Sequence, residues 1–150
     1  MFPHSIHTKS PDAVVDLQQG AKSLAFELWT ASAFHFHRAN EAVLRRYYDI
    51  VMDGQERPKN STMGTLLAAM KKADKGDKDV IAALDNIKTF HRNPISHPDH
   101  RIDNADEAMS LVAAIRAAIG YMLDRLPNME LDELTTTDNG HSELVNPQLL

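Results

Sequence analysis

The residues best equipped for chemistry lie together in the stretch HRNPISHPDHRID, positions 91–103. Arg92 and His97 stand there with four residues between them. An arginine offers a planar fork of N–H donors that matches phosphate and stays charged at any working pH. A histidine titrates near neutrality and serves as general base or acid. RNA cleavage calls for these services. The ribose 2′-OH must lose its proton, the charge gathering on phosphorus must be stabilised, and the leaving 5′-oxygen must gain a proton. The substrate carries its own nucleophile, so this chemistry has no strict need of a metal; DNA, lacking the 2′-OH, cannot react this way. Spacing alone carries little weight, because about one Arg-to-His pair at this separation arises by chance in such a chain. Context adds to it: Asn93 follows Arg92, and Pro94 and Pro98 restrict φ around the pair.

Other readings stand beside this one. Arg92 at a helix carboxyl end also suits the helix dipole, and the same loop could bind a substrate or partner without reacting. His91, His97 and His100 form a histidine cluster, but not at the spacing of helix-borne zinc ligands. We therefore expect no metal and no cofactor. His35 and His37 are two apart and so face different sides of a helix, one of them inward. Arg38, Glu41, Arg45 and Arg46 make a charged strip with helix-spaced pairs Arg38–Glu41 and Glu41–Arg45. The strip is either a salt network or a set in which Arg38 and Glu41 line the cleft of Arg92 and orient it. Tyr47 and Tyr48 read as core and interface residues. Lys71, Lys72, Lys75 and Lys78 form a basic corner that could steer RNA.

The elements that must hold these groups are helical. Residues 1–10 read as an unstructured, flexible lead. A helix then starts near Pro11 or Asp12, with Gly20 weakening its continuity. From about Thr30 to Met52, Phe36, Ala39, Val43, Tyr47 and Ile50 recur at intervals of three or four residues. Gly54 and Pro58 break that helix. Ser61 or Thr62 starts another, and Gly76 supplies a left-handed turn at its end. Asp77 caps the next helix, which carries Val80, Ile81, Leu84, Ile87 and Phe90 and stops before Pro94. Asn104 and Glu107 form a capping box for the last, which Pro127 closes. No segment alternates like a strand. We expect an all-α fold, a bundle of four to five helices over residues 11–127. Residues 128–150 are acidic and aperiodic and read as a disordered tail, with a short amphipathic piece at Leu131 and Leu134.

Composition bounds the setting. One domain is the simplest reading of 150 residues, and 43% apolar content is ordinary for a globular protein. The chain has no cysteine, hence no disulfide framework and no thiolate chemistry. No apolar run approaches the length of a membrane span, and MFPHSIHTKSPD lacks the layout of a signal peptide, so a cytoplasmic location is expected. Net charge is −5, but the segment from Asn128 onward holds Glu130, Asp132, Glu133, Asp138 and Glu143 and no Lys or Arg. The body is therefore neutral and does not advertise a broad nucleic-acid surface.

The run Arg92-Asn93-Pro94-Ile95-Ser96-His97 resembles the Arg–polar–x–x–x–His motif of the HEPN superfamily, in which four to six residues separate Arg from His. FHFHRANEAVLRRYYD, from Phe34, also looks like the long early helix of those bundles. The resemblance implies an HEPN-like helical domain, often a ribonuclease of toxin–antitoxin or other defence systems. It implies that Arg92 contacts the scissile phosphate, His97 acts as base or acid, and Asn93 positions them. His91, Glu41 and Arg38 are auxiliary candidates. It further implies RNA as partner, a homodimer in which two motifs face each other, and an antitoxin or associated defence protein. The alternative is a non-catalytic module of the same fold that binds RNA, a nucleotide or a protein.

Overall fold

The structure, a computed structural model, describes residues 2–90 and 101–129. Among them the fold is all-helical: α1 (Ile6–Lys9), a 3₁₀ turn at Pro11–Ala13, α2 (Val14–Ala25), α3 (Trp29–Val51), α4 (Met63–Lys72), α5 (Lys78–Phe90) and α6 (Ala105–Arg125). No helix among the described residues is long and apolar enough to cross a membrane. Residues 130–150, including Leu131 and Leu134, lie outside the described residues.

Helix α3 is the axis of the bundle. It packs against α2, α4 and α6, and α5 packs on α4 and α6. Its 23 residues span about 35 Å. Phe36, Ala39, Val43, Leu44, Tyr47 and Tyr48 are all buried, as their spacing predicts, but Ile50, expected in the same stripe, is 45% exposed in the last turn of the helix. His37 is the inward histidine of its pair, 3% exposed. The core is completed by Leu66, Met70, Leu84, Ile87, Ile115 and Ile119.

Gly20 does not interrupt α2. A β-carbon there would stand 3.1 Å from the Phe36 ring, so its absence lets α2 and α3 approach closely. Ser32 fixes the contact by donating to the Gly20 carbonyl at 3.0 Å. The expected stops and caps are present. Thr62 and Thr65 form a reciprocal capping box on α4. Gly76 takes φ +97° beyond the end of α4. Asp77 accepts the Asp79 N–H at 2.8 Å. Asn104 accepts the Glu107 N–H at 2.8 Å, the first half of its predicted box.

The lead departs from expectation. Ile6 is buried and pulls residues 6–9 into a helical turn. Phe2 stacks on Phe36 with ring centroids 5.6 Å apart. Lys9 Nζ donates to the Leu123 carbonyl at 2.7 Å, placing a cation at the carboxyl end of α6. The Met129 N–H donates to the Thr8 carbonyl at 2.8 Å, and the Thr8 hydroxyl donates to Asn128 Oδ1 at 3.2 Å. The first and last described turns are thus laced together.

Candidate functional site

His91, Arg92, Asn93 and His97 lie outside the described residues, as do His100 and the two prolines. The structure fixes the flanks of that stretch. Helix α5 ends at Phe90, and the chain is firmly held again at Ile102. Thr30 makes that anchor. Its hydroxyl donates to the Ile102 carbonyl at 3.2 Å and accepts the Ile102 N–H at 3.1 Å. The returning chain therefore docks on the amino end of α3. A hollow of about 440 Å³ opens there, with Trp29 and Thr30 on one side and Arg101 and Asp103 on the other. The turn before α3 also presents Phe26 and Leu28, 77% and 57% exposed.

Arg38 and Glu41 sit farther along α3, about 12 and 16 Å from Thr30 by helical rise. Each has a defined partner. Arg38 Nε donates to Asp16 Oδ2 at 3.1 Å, and its guanidinium lies 5.6 Å from the centre of the Phe34 ring. Glu41 accepts from Arg45 Nη2 at 3.1 Å with one oxygen and from the Met63 N–H at 3.0 Å with the other. Of the two helix-spaced pairs expected, Glu41–Arg45 forms; Arg38 turns instead to Asp16 on α2. Both residues face a second cleft of about 360 Å³, where Arg38, Arg45, Arg46 and Arg57 meet Asp12, Asp16 and Glu41.

Sequence reasoning missed the role of Asp16. Its Oδ1 stands 2.8 Å from His35 Nδ1 while its Oδ2 takes Arg38. A carboxylate on one ring nitrogen orients an imidazole and selects its tautomer. His35 and Arg38 share one face of α3, but the identity of their partner depends on the rotation of α2 against α3. No local pattern carries that information.

A further polar cluster ties α3, α5 and α6 together. The Asp77 N–H donates to the Tyr47 hydroxyl oxygen at 2.7 Å, and Arg125 Nε pairs with Asp77 Oδ2 at 2.9 Å. The hydrogen bond from Arg125 holds the Asp77 carboxyl below its usual pKa. Burial pushes the Tyr47 phenol up. In the basic corner, Lys71 pairs with Asp85 and Lys75 with Asp53. No group of three His, Cys, Asp or Glu side chains among the described residues is placed to hold a metal ion. Comparison of the chain with family models, curated proteins and solved structures finds no match.

Proposed function

We propose that this chain is an HEPN-like domain that cleaves RNA without a metal, as a cytoplasmic component of a defence or toxin–antitoxin system. One observation carries the reading: Arg92-Asn93 and His97 fall in the connection that leaves α5 and returns to α6 in an all-helical bundle. The Thr30–Ile102 anchor supports it, because a connection tied down beside its motif loses less entropy on binding substrate. The exposed Phe26 and Leu28 at the same end support pairing of two copies there.

In this mechanism Arg92 grips the scissile phosphate and Asn93 holds the pair in register. His97 takes the 2′-OH proton as the 2′-oxygen bonds to phosphorus. The phosphorus–5′-oxygen bond breaks, and the leaving oxygen takes a proton from His97 of the partner copy. The products are a 2′,3′-cyclic phosphate and a free 5′-hydroxyl. A homodimer supplies both proton-transfer groups from a single motif.

Purified protein should cut single-stranded RNA in the presence of EDTA and leave cyclic phosphate ends. Arg92→Ala and His97→Ala should each lower the rate by at least about a hundredfold. Wild type and both variants behaving alike across varied RNAs would sink this reading. A second reading, a binding module of the same fold, is favoured by the engagement of Arg38 and Glu41 in other contacts. It predicts RNA, nucleotide or protein binding without cleavage.

A further inference from the structure

The cleft midway along α3 is built from three pieces of chain, and its arginines come from two of them. Arg38, Arg45 and Arg46 come from α3, and Arg57 comes from the connection between α3 and α4. Four guanidiniums around one space repel one another unless something opposes them. Two of the carboxylates that do so, Asp16 and Glu41, stand behind them, with side chains 15% and 21% exposed against 57% and 38% for their partners Arg38 and Arg45. Arg57 and its partner Asp49 are about equally exposed, and Asp12 is exposed at the rim. The charge turned toward solvent is therefore mainly positive on the side of Arg38 and Arg45, although the cleft's formal charges nearly balance.

The guanidiniums are also held in place. Arg45 donates through Nη2 to Glu41 and through Nε to the Ser61 carbonyl at 3.3 Å. Arg57 donates through both Nε and Nη2 to Asp49, a two-point grip that fixes its plane. Exposed ion pairs of this kind contribute little to stability, so their main effect is orientation. Each guanidinium carries five N–H donors, and these bonds use one or two of them. Long side chains already ordered lose less entropy when they bind. A salt network alone would close upon itself; here a space of about 360 Å³ is left in front of it, within the range of small-ligand sites.

We propose that this cleft binds a phosphate group, with Arg45 and Arg57 as its principal donors and Arg38 and Arg46 flanking them. The N–H donors left over on these guanidiniums, together with their charge, suit the several oxygens of a phosphate. The phosphate belongs either to a free nucleotide or to the backbone of an RNA strand. The site stands apart from the Arg92–His97 reading and does not depend on it. Asp12, the remaining acid at the rim, disfavours a bare anion and limits its affinity.

The test uses the whole chain with inorganic pyrophosphate, uridine and an eight-residue oligouridylate as probes. Calorimetry follows binding, and the arginine Nε–H signals in NMR spectra report the place. Pyrophosphate should bind saturably and move the Arg45 and Arg57 signals, while uridine should not. Arg45→Ala and Arg57→Ala should each weaken binding about tenfold. Arg57→Lys should fall between, Asp12→Asn should tighten binding, and Lys71→Ala should change nothing. Thermal unfolding of each variant separates lost binding from lost fold. Displacement of pyrophosphate by oligouridylate assigns the cleft to RNA backbone; binding of pyrophosphate alone assigns it to a free phosphate ligand. Absence of saturable binding to both phosphate probes, or binding unchanged in a folded Arg45→Ala, Arg57→Ala double variant, overturns the proposal. Pyrophosphate should still move the Arg45 and Arg57 signals in a protein that fails to cleave RNA, so failure of RNA cleavage and failure of this site are read separately.

Discussion

The carboxylate of Glu41 accepts the backbone N–H of Met63 at 3.0 Å, from a helix other than its own. Met63 is the first residue of α4, where N–H groups lack partners within the helix and a negative charge is favoured. Glu41 thus fastens α4 to α3 while its second oxygen steadies Arg45. Glu41→Ala should cost about 1–2 kcal/mol in urea unfolding, and Glu41→Gln less than half of that. An auxiliary role confined to catalysis would leave the unfolding midpoint in place.

Thr30 makes the corresponding fastening at the other end of α3. Replacing it with Val removes both hydrogen bonds to Ile102 and leaves a buried residue's backbone unpaired. Thr30→Val should cost about 1–2 kcal/mol. The Ile102 amide should then exchange with deuterium markedly faster, while Thr30→Ser should retain its protection.

Stability should depend on pH through Asp77 and Tyr47, with opposite signs. The folded pKa of Asp77 is depressed by Arg125, so its contribution is present above the ordinary carboxylate range. It is lost as pH falls through the folded value, below about 4. The folded pKa of Tyr47 is raised by burial, so its contribution is intact below about 10 and lost as pH climbs past that point. Asp77→Asn should flatten the acid limb of a stability profile, and Tyr47→Phe the alkaline limb. A wild-type profile whose limbs survive these substitutions would contradict the assignment.

Glu27 adopts φ +58° in the turn between α2 and α3, a left-handed conformation that strains residues bearing a β-carbon. Glu27→Gly should raise stability by about 0.5–1 kcal/mol, since relief of strain outweighs glycine's extra freedom in the unfolded chain. Gly76→Ala, at φ +97° and with Ile81 3.3 Å from the added carbon, should do the reverse. Thermal melts of the two variants should move in opposite directions.

That turn also shows what the sequence could not announce. Gly76 marked the turn after α4 in advance, because glycine is the usual occupant of a left-handed conformation. The left-handed residues that cap the helices are Glu27 after α2, Asp53 after α3 and Asp74 after α4, so no local sign distinguished them. The stripe from Phe36 to Tyr47 was legible because one face of α3 meets the core throughout. Thr62 and Asn104 were legible because a cap acts on its own next turn. Residues 6–9 were not, since their order depends on Ile6 and Lys9 meeting distant helices. Arg38 was assigned an in-helix partner, yet Asp16 across α2 takes it, a choice set by how two helices rotate on packing. Arg57 entered the cleft for the same kind of reason: the path of residues 53–62 carries it there. Arg92 and His97 lie outside the described residues, and their chemistry rests on the experiments above.

The lacing of Thr8 and Lys9 to Leu123, Asn128 and Met129 has a consequence for chain connectivity. Two described ends that touch can be joined without moving a helix, and the bundle can be cut elsewhere. A circular permutant with a short linker across this junction and new ends between Gly54 and Glu56 should preserve the packing of α2 through α6. The order in which this chain visits its helices is then separable from the arrangement they reach.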